Sequence, residues 1–301
     1  MGTRTDTRVS VVIPVYNDPA GLRTTLDALV DQRYPAADHE VLVVDNNSTD
    51  GTHAVATEFS DSYDHIETLV EADVQSSYAA RNTGIGHADG SIIAFVDADM
   101  TVPADWLTDA VAAFERTEAA YMGCNVELYT PAEEASLPAK FNRLSGFPIE
   151  QYIEQRQFAP TCCLVVDRSV FDDVGRFDET LISSGDREFG HRVADAGYSQ
   201  HYASDVTMYH PTRTSLDELV DKAVRIGRGT YQLRTRYPER YGSPRDLLLN
   251  PVTYLPPIPW RLDEAIQDWT TLPLSERVGF YALATVASYS RTYGKVREAL
   301  Q

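Results

Sequence analysis

Asp97-Ala-Asp99 follows directly on the apolar run Ile92-Ile-Ala-Phe-Val96. Two carboxylates at i and i+2, where a strand runs out, can point into one cleft. There their hard oxygens suit Mg²⁺ or Mn²⁺ bridged to a diphosphate. In an Asp-rich chain the same tripeptide also arises as two solvated loop aspartates. A second strand-like run, Val41-Leu-Val-Val44, ends at Asp45, and Asn46-Asn-Ser-Thr-Asp-Gly51 after it has turn and cap chemistry. Taken alone, Asp45 reads as a helix cap. His210 closes a third such run, Asp205-Val-Thr-Met-Tyr-His210. From His210 to Arg245 there are eight Lys and Arg against four Asp and Glu, a local excess of cations in a chain of net charge −19. That stretch suits phosphate groups, or else forms a solvated face paired with the abundant carboxylates.

The elements that must position these residues are legible from periodicity. Val9–Val15 is β-branched and nearly continuous, as a strand buried on both faces of a parallel sheet should be. After the Asn17-Asp18-Pro19 break, Leu22, Leu26, Leu29 and Val30 recur at helical spacing. A helix through Val55 and Phe59, a strand over Glu67–Val70, a helix over Ser76–His87 ending at Gly90 and the strand Ile92–Val96 follow. Gly84, Gly86 and Gly90 read as turn and helix-end residues. Trp106–Phe114 is a helix, Pro131–Pro160 reads as loops with a helix, and Thr161–Val166 reads as a strand. From about Leu216 the chain becomes helical. Strand, helix, strand, helix at this spacing predicts a mostly parallel α/β sheet flanked by helices, with ligands at the carboxyl ends of its strands.

Composition narrows the class. The 301 residues hold 45 Asp and Glu against 26 Lys and Arg, which argues against a nucleic-acid binder. Of those cations only Lys140, Lys222 and Lys295 are lysines, and Asp outnumbers Glu 27 to 18. An Asp-rich, Lys-poor surface fits a salt-accumulating halophile, whose carboxylates hold hydration while salt screens their repulsion. Three cysteines make no disulfide framework, and adjacent Cys162 and Cys163 in an apolar run read as core residues of a reduced, cytoplasmic protein. Met1–Arg8 lacks an apolar signal core. The longest uncharged stretch near the end, Val278–Ser290, has 13 residues, too few for a span. Trp260, Trp269, Phe280, Tyr281, Tyr289 and Tyr293, with Arg277, Arg291, Lys295 and Arg297, surround it and suit either a membrane interface or a helix core.

Val9-Ser-Val-Val-Ile-Pro-Val-Tyr-Asn17, Val41-Leu-Val-Val-Asp-Asn-Asn-Ser-Thr-Asp-Gly-Thr52, and Ala80-Arg-Asn-Thr-Gly-Ile-Gly86 leading to Ile93-Ala-Phe-Val-Asp-Ala-Asp99 occur in order. Together they resemble the family 2 inverting glycosyltransferases of the GT-A fold, over about residues 8 to 210. The resemblance implies a Rossmann-like GT-A domain over 1–210 and a helical C-terminal extension over 211–301. It implies that Pro14, Tyr16 and Asn17 form part of a nucleotide pocket, that Asp45 bonds the base, and that Asp50 and Arg81 shape the same pocket. Asp97 would approach the ribose or the metal, and Asp99 would ligate Mn²⁺ or Mg²⁺, with His210 as a further ligand or diphosphate contact. Val174-Gly-Arg-Phe-Asp178 and Ser184-Gly-Asp-Arg-Glu-Phe-Gly-His-Arg192 resemble the acceptor side, with Gly185 where Glu is common. In that register Asp186 is the general base and Glu188 its acidic companion, with Glu188 the other candidate base.

The expected function is metal-dependent, inverting transfer of a sugar from a nucleoside diphosphate donor, UDP foremost, to a glycan or polyprenyl-phosphate-linked acceptor. The setting would be surface-glycan or N-glycan precursor assembly at the inner membrane face. A nucleotidyltransferase is one rival, although Pro14-Val-Tyr-Asn-Asp18 stands where its Gly-rich basic loop would be. A non-catalytic nucleotide-sugar binding protein is the other, and it would have no use for Asp186.

Overall fold

Every side chain of Val9–Val15 is buried, so this stretch can only be an interior strand, and it forms β1 near the middle of the sheet. The computed structural model describes residues 7–130 and 135–301. Most of the N-terminal stretch read as lacking a signal core, and residues 131–134 of the segment read as loops, lie outside the described residues. The sheet comprises β1, β2 (His39–Asp45), β3 (Ile66–Val70), β4 (Ile92–Phe95), β5 (Tyr121–Tyr129), β6 (Leu164–Asp167) and β7 (Gln200–Pro211). Its order is β3-β2-β1-β4-β6-β5-β7. The pairs β1–β2, β1–β4 and β2–β3 are parallel, whereas β6 runs antiparallel to both β4 and β5. It is a mixed sheet whose parallel half carries the sequence motifs.

That half is joined by α1 (Pro19–Val30), α2 (Thr52–Ser62) and α3 (Ser77–His87). Asp18 caps α1 by accepting the Gly21 N–H at 2.8 Å, with Pro19 pre-set at the first helical position. Gly84 is not a turn residue. It lies inside α3 where a Cβ would come within 2.5 Å of Val12, so its role is close packing of helix on strand. The remaining helices are α4 (Trp106–Thr117), α5 (Leu137–Ser145), α6 (Ile149–Arg156), α7 (Arg168–Val174), α8 (Gly185–Asp195), α9 (Leu216–Arg236), α10 (Pro238–Tyr241), α11 (Pro244–Leu249), α12 (Leu262–Ala265) and α13 (Leu274–Ala299). The run read as a strand from Thr161 starts as a short 3-10 turn, Thr161–Cys163, before β6. Cys124, Cys162 and Cys163 are all buried thiols, and burial pushes the Cys124 thiol up to about 12.

The chain packs as two compact units. One comprises Met1–Glu127, Pro148–Thr180 and Gly185–His210; the other comprises Leu128–Phe147, Leu181–Ser184 and Pro211–Gln301. In the second, α9 starts with a full capping box, Ser215 with Glu218, and runs beside α13. Phe280 is wholly buried there with Leu262 and Ile266, and Phe141, Leu144, Trp269 and Tyr281 pack around them. Of the aromatic residues named near the C-terminus, Trp269, Phe280 and Tyr281 therefore belong to a core, whereas Trp260, Tyr289 and Tyr293 are exposed.

Candidate functional site

Parallel register brings the acidic strand ends to one edge of the first unit. Val15 lies opposite Asp45, and Val12 opposite Phe95, so residues 15–17, Asp45 and Asp97 all leave the sheet on the same side. The loops are laced together. Asn17, in the left-handed region with φ 51°, accepts the Thr49 N–H at 2.8 Å, and its own N–H donates to Ser48 Oγ at 2.9 Å. Asp45 is buried, accepts the Ser48 N–H at 2.9 Å, and faces His53 Nδ1 at 3.1 Å. Pro14 is buried in β1 opposite Val44, and Tyr16 beyond it is exposed. The Asp50 carboxylate takes the Thr52 hydroxyl and N–H, which hold it below the usual carboxylate range. Its visible work is to shape the turn into α2.

The second cluster lies after β4. Arg81 reaches from α3 and donates from Nη2 to Asp97 Oδ1 at 2.5 Å and from Nη1 to the Ser77 carbonyl at 3.2 Å. Only 4% of Arg81 is exposed, and its Nε is buried with no hydrogen-bond partner. A guanidinium that far out of water is stabilised by its carboxylate partner. Thr25 Oγ1 bonds the Met100 carbonyl at 2.7 Å, tying α1 to the Asp97–Met100 turn. Thr101 and Tyr209 exchange two backbone bonds at 2.9 Å each, which draws the end of β7 to that turn and brings His210 Nε2 to 3.8 Å from Asp99 Oδ1. His210 is buried while the Asp99 side chain is 40% exposed.

Among the described residues no group of three or more His, Cys, Asp or Glu could hold a metal ion by itself. A two-ligand site completed by phosphate oxygens is what Mg²⁺-type ions commonly use. Two donors each about 2.1 Å from one ion stand at most ~4.2 Å apart, and Asp99 and His210 fall within that reach.

Asp186 and Glu188 both lie in the first turn of α8. Glu188 is buried and holds Arg192 in a two-pronged pair, at 2.7 Å from Nε and 2.9 Å from Nη2. Arg192 also donates to the carbonyls of Val174 and Arg176, closing the turn after α7. Asp186 is partly exposed. The N–H groups of Gly185 and Asp186 donate to the Tyr78 phenol oxygen at 2.9 and 3.3 Å. The sequence reading missed Tyr78 and His53. Arg192, which closes the motif resembling the acceptor side, pairs with Glu188 as residues four apart on a helix face do.

A seven-stranded mixed sheet flanked by helices, with carboxylates at one edge and one of them clamped by an arginine, is an α/β architecture of the GT-A type. Comparison with known proteins agrees. The family model for glycosyl transferase family 2 matches residues 10–175. Glycosyltransferase AglE of Haloferax volcanii is 41% identical over 225 residues, covering 75% of this chain and 73% of that protein. A pre-mycofactocin glycosyltransferase of Mycobacterium tuberculosis is 27% identical over 237 residues, 77% of this chain and 48% of its own length. Among solved structures, the mannosyltransferase PcManGT from Pyrobaculum calidifontis, in complex with GDP-Man and Mn²⁺, superposes with a TM-score of 0.63 at 19% identity, over 97% of this chain and 87% of that one. Residues 1–349 of TarS from S. aureus, in complex with UDP-GlcNAc, give 0.57 at 18% identity, over 97% and 92% of the two chains. The chain belongs to glycosyl transferase family 2.

Proposed function

We propose that the protein transfers a sugar, with inversion, from a nucleoside diphosphate donor to a glycan or polyprenyl-phosphate-linked acceptor in the assembly of surface-glycan or N-glycan precursors. The observation that carries this is the convergence of Asp45, the Arg81–Asp97 pair and the Asp99–His210 pair on one sheet edge of a family 2 chain. Asp45, buried and fixed by Ser48 and His53, is a single acceptor for a base N–H, with UDP the first donor to test. Residues 14–17 and Asp50 shape the loops around it. Asp97, aligned by Arg81, faces the ribose or the metal. Asp99 and His210 would hold Mn²⁺ or Mg²⁺ together with diphosphate oxygens, and the bound ion would offset the charge gathering on the leaving group. That structural neighbours hold GDP-Man with Mn²⁺ and UDP-GlcNAc supports the donor class.

Asp186 is the base in this reading. The acceptor oxygen forms its bond to C1 as the bond from C1 to the diphosphate oxygen breaks. The electron pair of that bond leaves on the diphosphate, and the hydroxyl proton passes to the Asp186 carboxylate. Glu188 cannot serve without giving up Arg192, so it acts as a strut. Leu249, Val252, Leu255 and Trp260, exposed after Arg240 and Arg245, suit contact with the inner membrane face, and the Lys-poor, acidic composition suits a cell that accumulates salt.

Melting the protein with UDP, GDP and dTDP, each with and without Mn²⁺ in molar KCl, tests the donor reading. One nucleotide should raise the melt only with Mn²⁺, by the equivalent of about 2.7 kcal/mol at a hundredfold excess over Kd. No shift with any of the three contradicts the proposal. Equal stability in dilute buffer contradicts the salt reading alone.

A further inference from the structure

We infer that Tyr78 is a positioning residue for the base, its phenol oxygen gathering the first two N–H groups of α8 and so fixing where Asp186 stands. The inference rests on the reading of Asp186 as the base. A helix start leaves four N–H groups without intrahelical partners, and these are usually met by a side chain close by in sequence. Here the N–H groups of Gly185 and Asp186 are met by a residue more than a hundred positions earlier in the chain. The residue entering the helix, Ser184, has a left-handed φ of 70°, uncommon for a residue other than glycine.

The fit between ring and backbone is close. A Cβ on Gly185 would lie 2.8 Å from Cε2 and Cζ of Tyr78, inside any allowed contact. Any side chain at position 185 would enter the space the phenol occupies, so glycine and ring fit each other. The ring is itself held. It is 5% exposed, packs on Phe177 with centroids 5.7 Å apart, and lies 5.9 Å from the Arg81 guanidinium carbon. Burial first, and then the charge of Asp186, push the Tyr78 hydroxyl above its ordinary value, so it stays a neutral phenol able to accept both N–H groups.

Arg81 is one turn along α3 from Tyr78, and it grips Asp97. One helical turn therefore holds the donor-side carboxylate through Arg81 and the acceptor-side carboxylate through Tyr78. Without the phenol oxygen, the buried Gly185 N–H and the partly buried Asp186 N–H lose this partner. The Asp186 carboxylate, which accepts the Arg187 N–H at 2.8 Å, is tied to the same helix start and shifts with it when that backbone moves.

Tyr78→Phe keeps the ring and removes only the oxygen. The expected result is a fall in kcat of about tenfold to a hundredfold, the scale of a small misplacement of a reacting group. The donor KM should stay within about twofold, and the nucleotide-dependent melt shift should be kept, because Arg81 and Asp97 are untouched. A wild-type kcat overturns the inference, as does a parallel loss of kcat, donor KM and melt shift, which would mark a general structural role. Gly185→Ala, whose methyl meets the ring, should give the same split, and wild-type turnover in it would also contradict the inference. Asp186→Asn is measured alongside. If it retains turnover the base reading itself fails, whereas lost turnover there with normal kcat in Tyr78→Phe removes only the role of Tyr78.

Discussion

Glu188 and Asp186 sit two residues apart on α8, and their surroundings give them different work. Both oxygens of Glu188 are committed to Arg192, which in turn holds the backbone after α7. Glu188→Gln leaves a half-buried guanidinium with a neutral partner, and breaking such a pair costs about 3 kcal/mol. The melt should fall accordingly while the donor KM stays put; an unchanged melt would show that the pair contributes nothing. His39 offers a test by pH. It is buried, its Nδ1–H donates to the Pro35 carbonyl at 3.0 Å, its Nε2 has no partner, and the His65 ring lies 4.8 Å away. Burial pulls both histidines below their ordinary value, His65 also through the charge of His39. As pH falls through about 6.5 the unfolded chain takes up protons that the folded one refuses, so stability drops below that pH. In His39→Phe the drop between pH 7.5 and 5.5 should be smaller; an equal drop would place its cause elsewhere. At this scale the acidic strand ends were legible in the sequence, because a carboxylate after an apolar run declares itself. Tyr78 was not, because a tyrosine at a helix start carries no sign of a partner more than a hundred residues away.

The elements of the parallel half were read nearly to their ends, since interior strands are apolar throughout and their connecting helices amphipathic. The antiparallel half was harder. β5 (Tyr121-Met-Gly-Cys-Asn-Val-Glu-Leu-Tyr129) mixes Gly and Asn into an apolar run, and its burial is complete only over its first four residues. Periodicity alone does not reveal a strand so composed. In the second unit, glycine sets how closely α9 and α13 approach. A Cβ on Gly227 would lie 2.0 Å from the Arg291 carbonyl oxygen, and one on Gly294 would lie 2.2 Å from that of Val224. Gly294→Ala should force the helices apart and cost about 1–3 kcal/mol, the usual penalty of overpacking, read as a lower melt. A stability equal to wild type would mean the helices can separate freely. Arg228 bonds Glu298 across the same pair at 2.6 Å, so part of the basic stretch is structural.

Over the whole molecule, charge and exposed apolar surface are unevenly placed. Arg236, Arg240 and Arg245 are exposed in a chain of net charge −19, and they lead into Leu249, Val252, Leu255 and Trp260, which are 79%, 66%, 57% and 75% exposed. Adjacent cations and exposed Leu and Trp favour an anionic lipid surface. Among the described residues no helix is long and apolar enough to cross a membrane. Burial and the neighbouring Arg291 and Arg234 pull Lys295 below its ordinary value, so that cation belongs to the packing of the second unit. Flotation with vesicles containing anionic phospholipid should carry the protein up, and Leu249→Ser with Trp260→Ser should abolish it. Flotation unaffected by the double change would contradict a contact through this segment.

The central claim is that a carboxylate at the start of α8 takes the acceptor proton as sugar leaves a nucleoside diphosphate bound along the β1–β2–β4 edge. Turnover of the nucleotide sugar selected by the melts, compared between the wild type and a folded Asp186→Asn protein that keeps its nucleotide-dependent melt shift, tests it most directly. The expected result is a loss of kcat of about a hundredfold to ten-thousandfold; wild-type turnover in that variant would contradict the account.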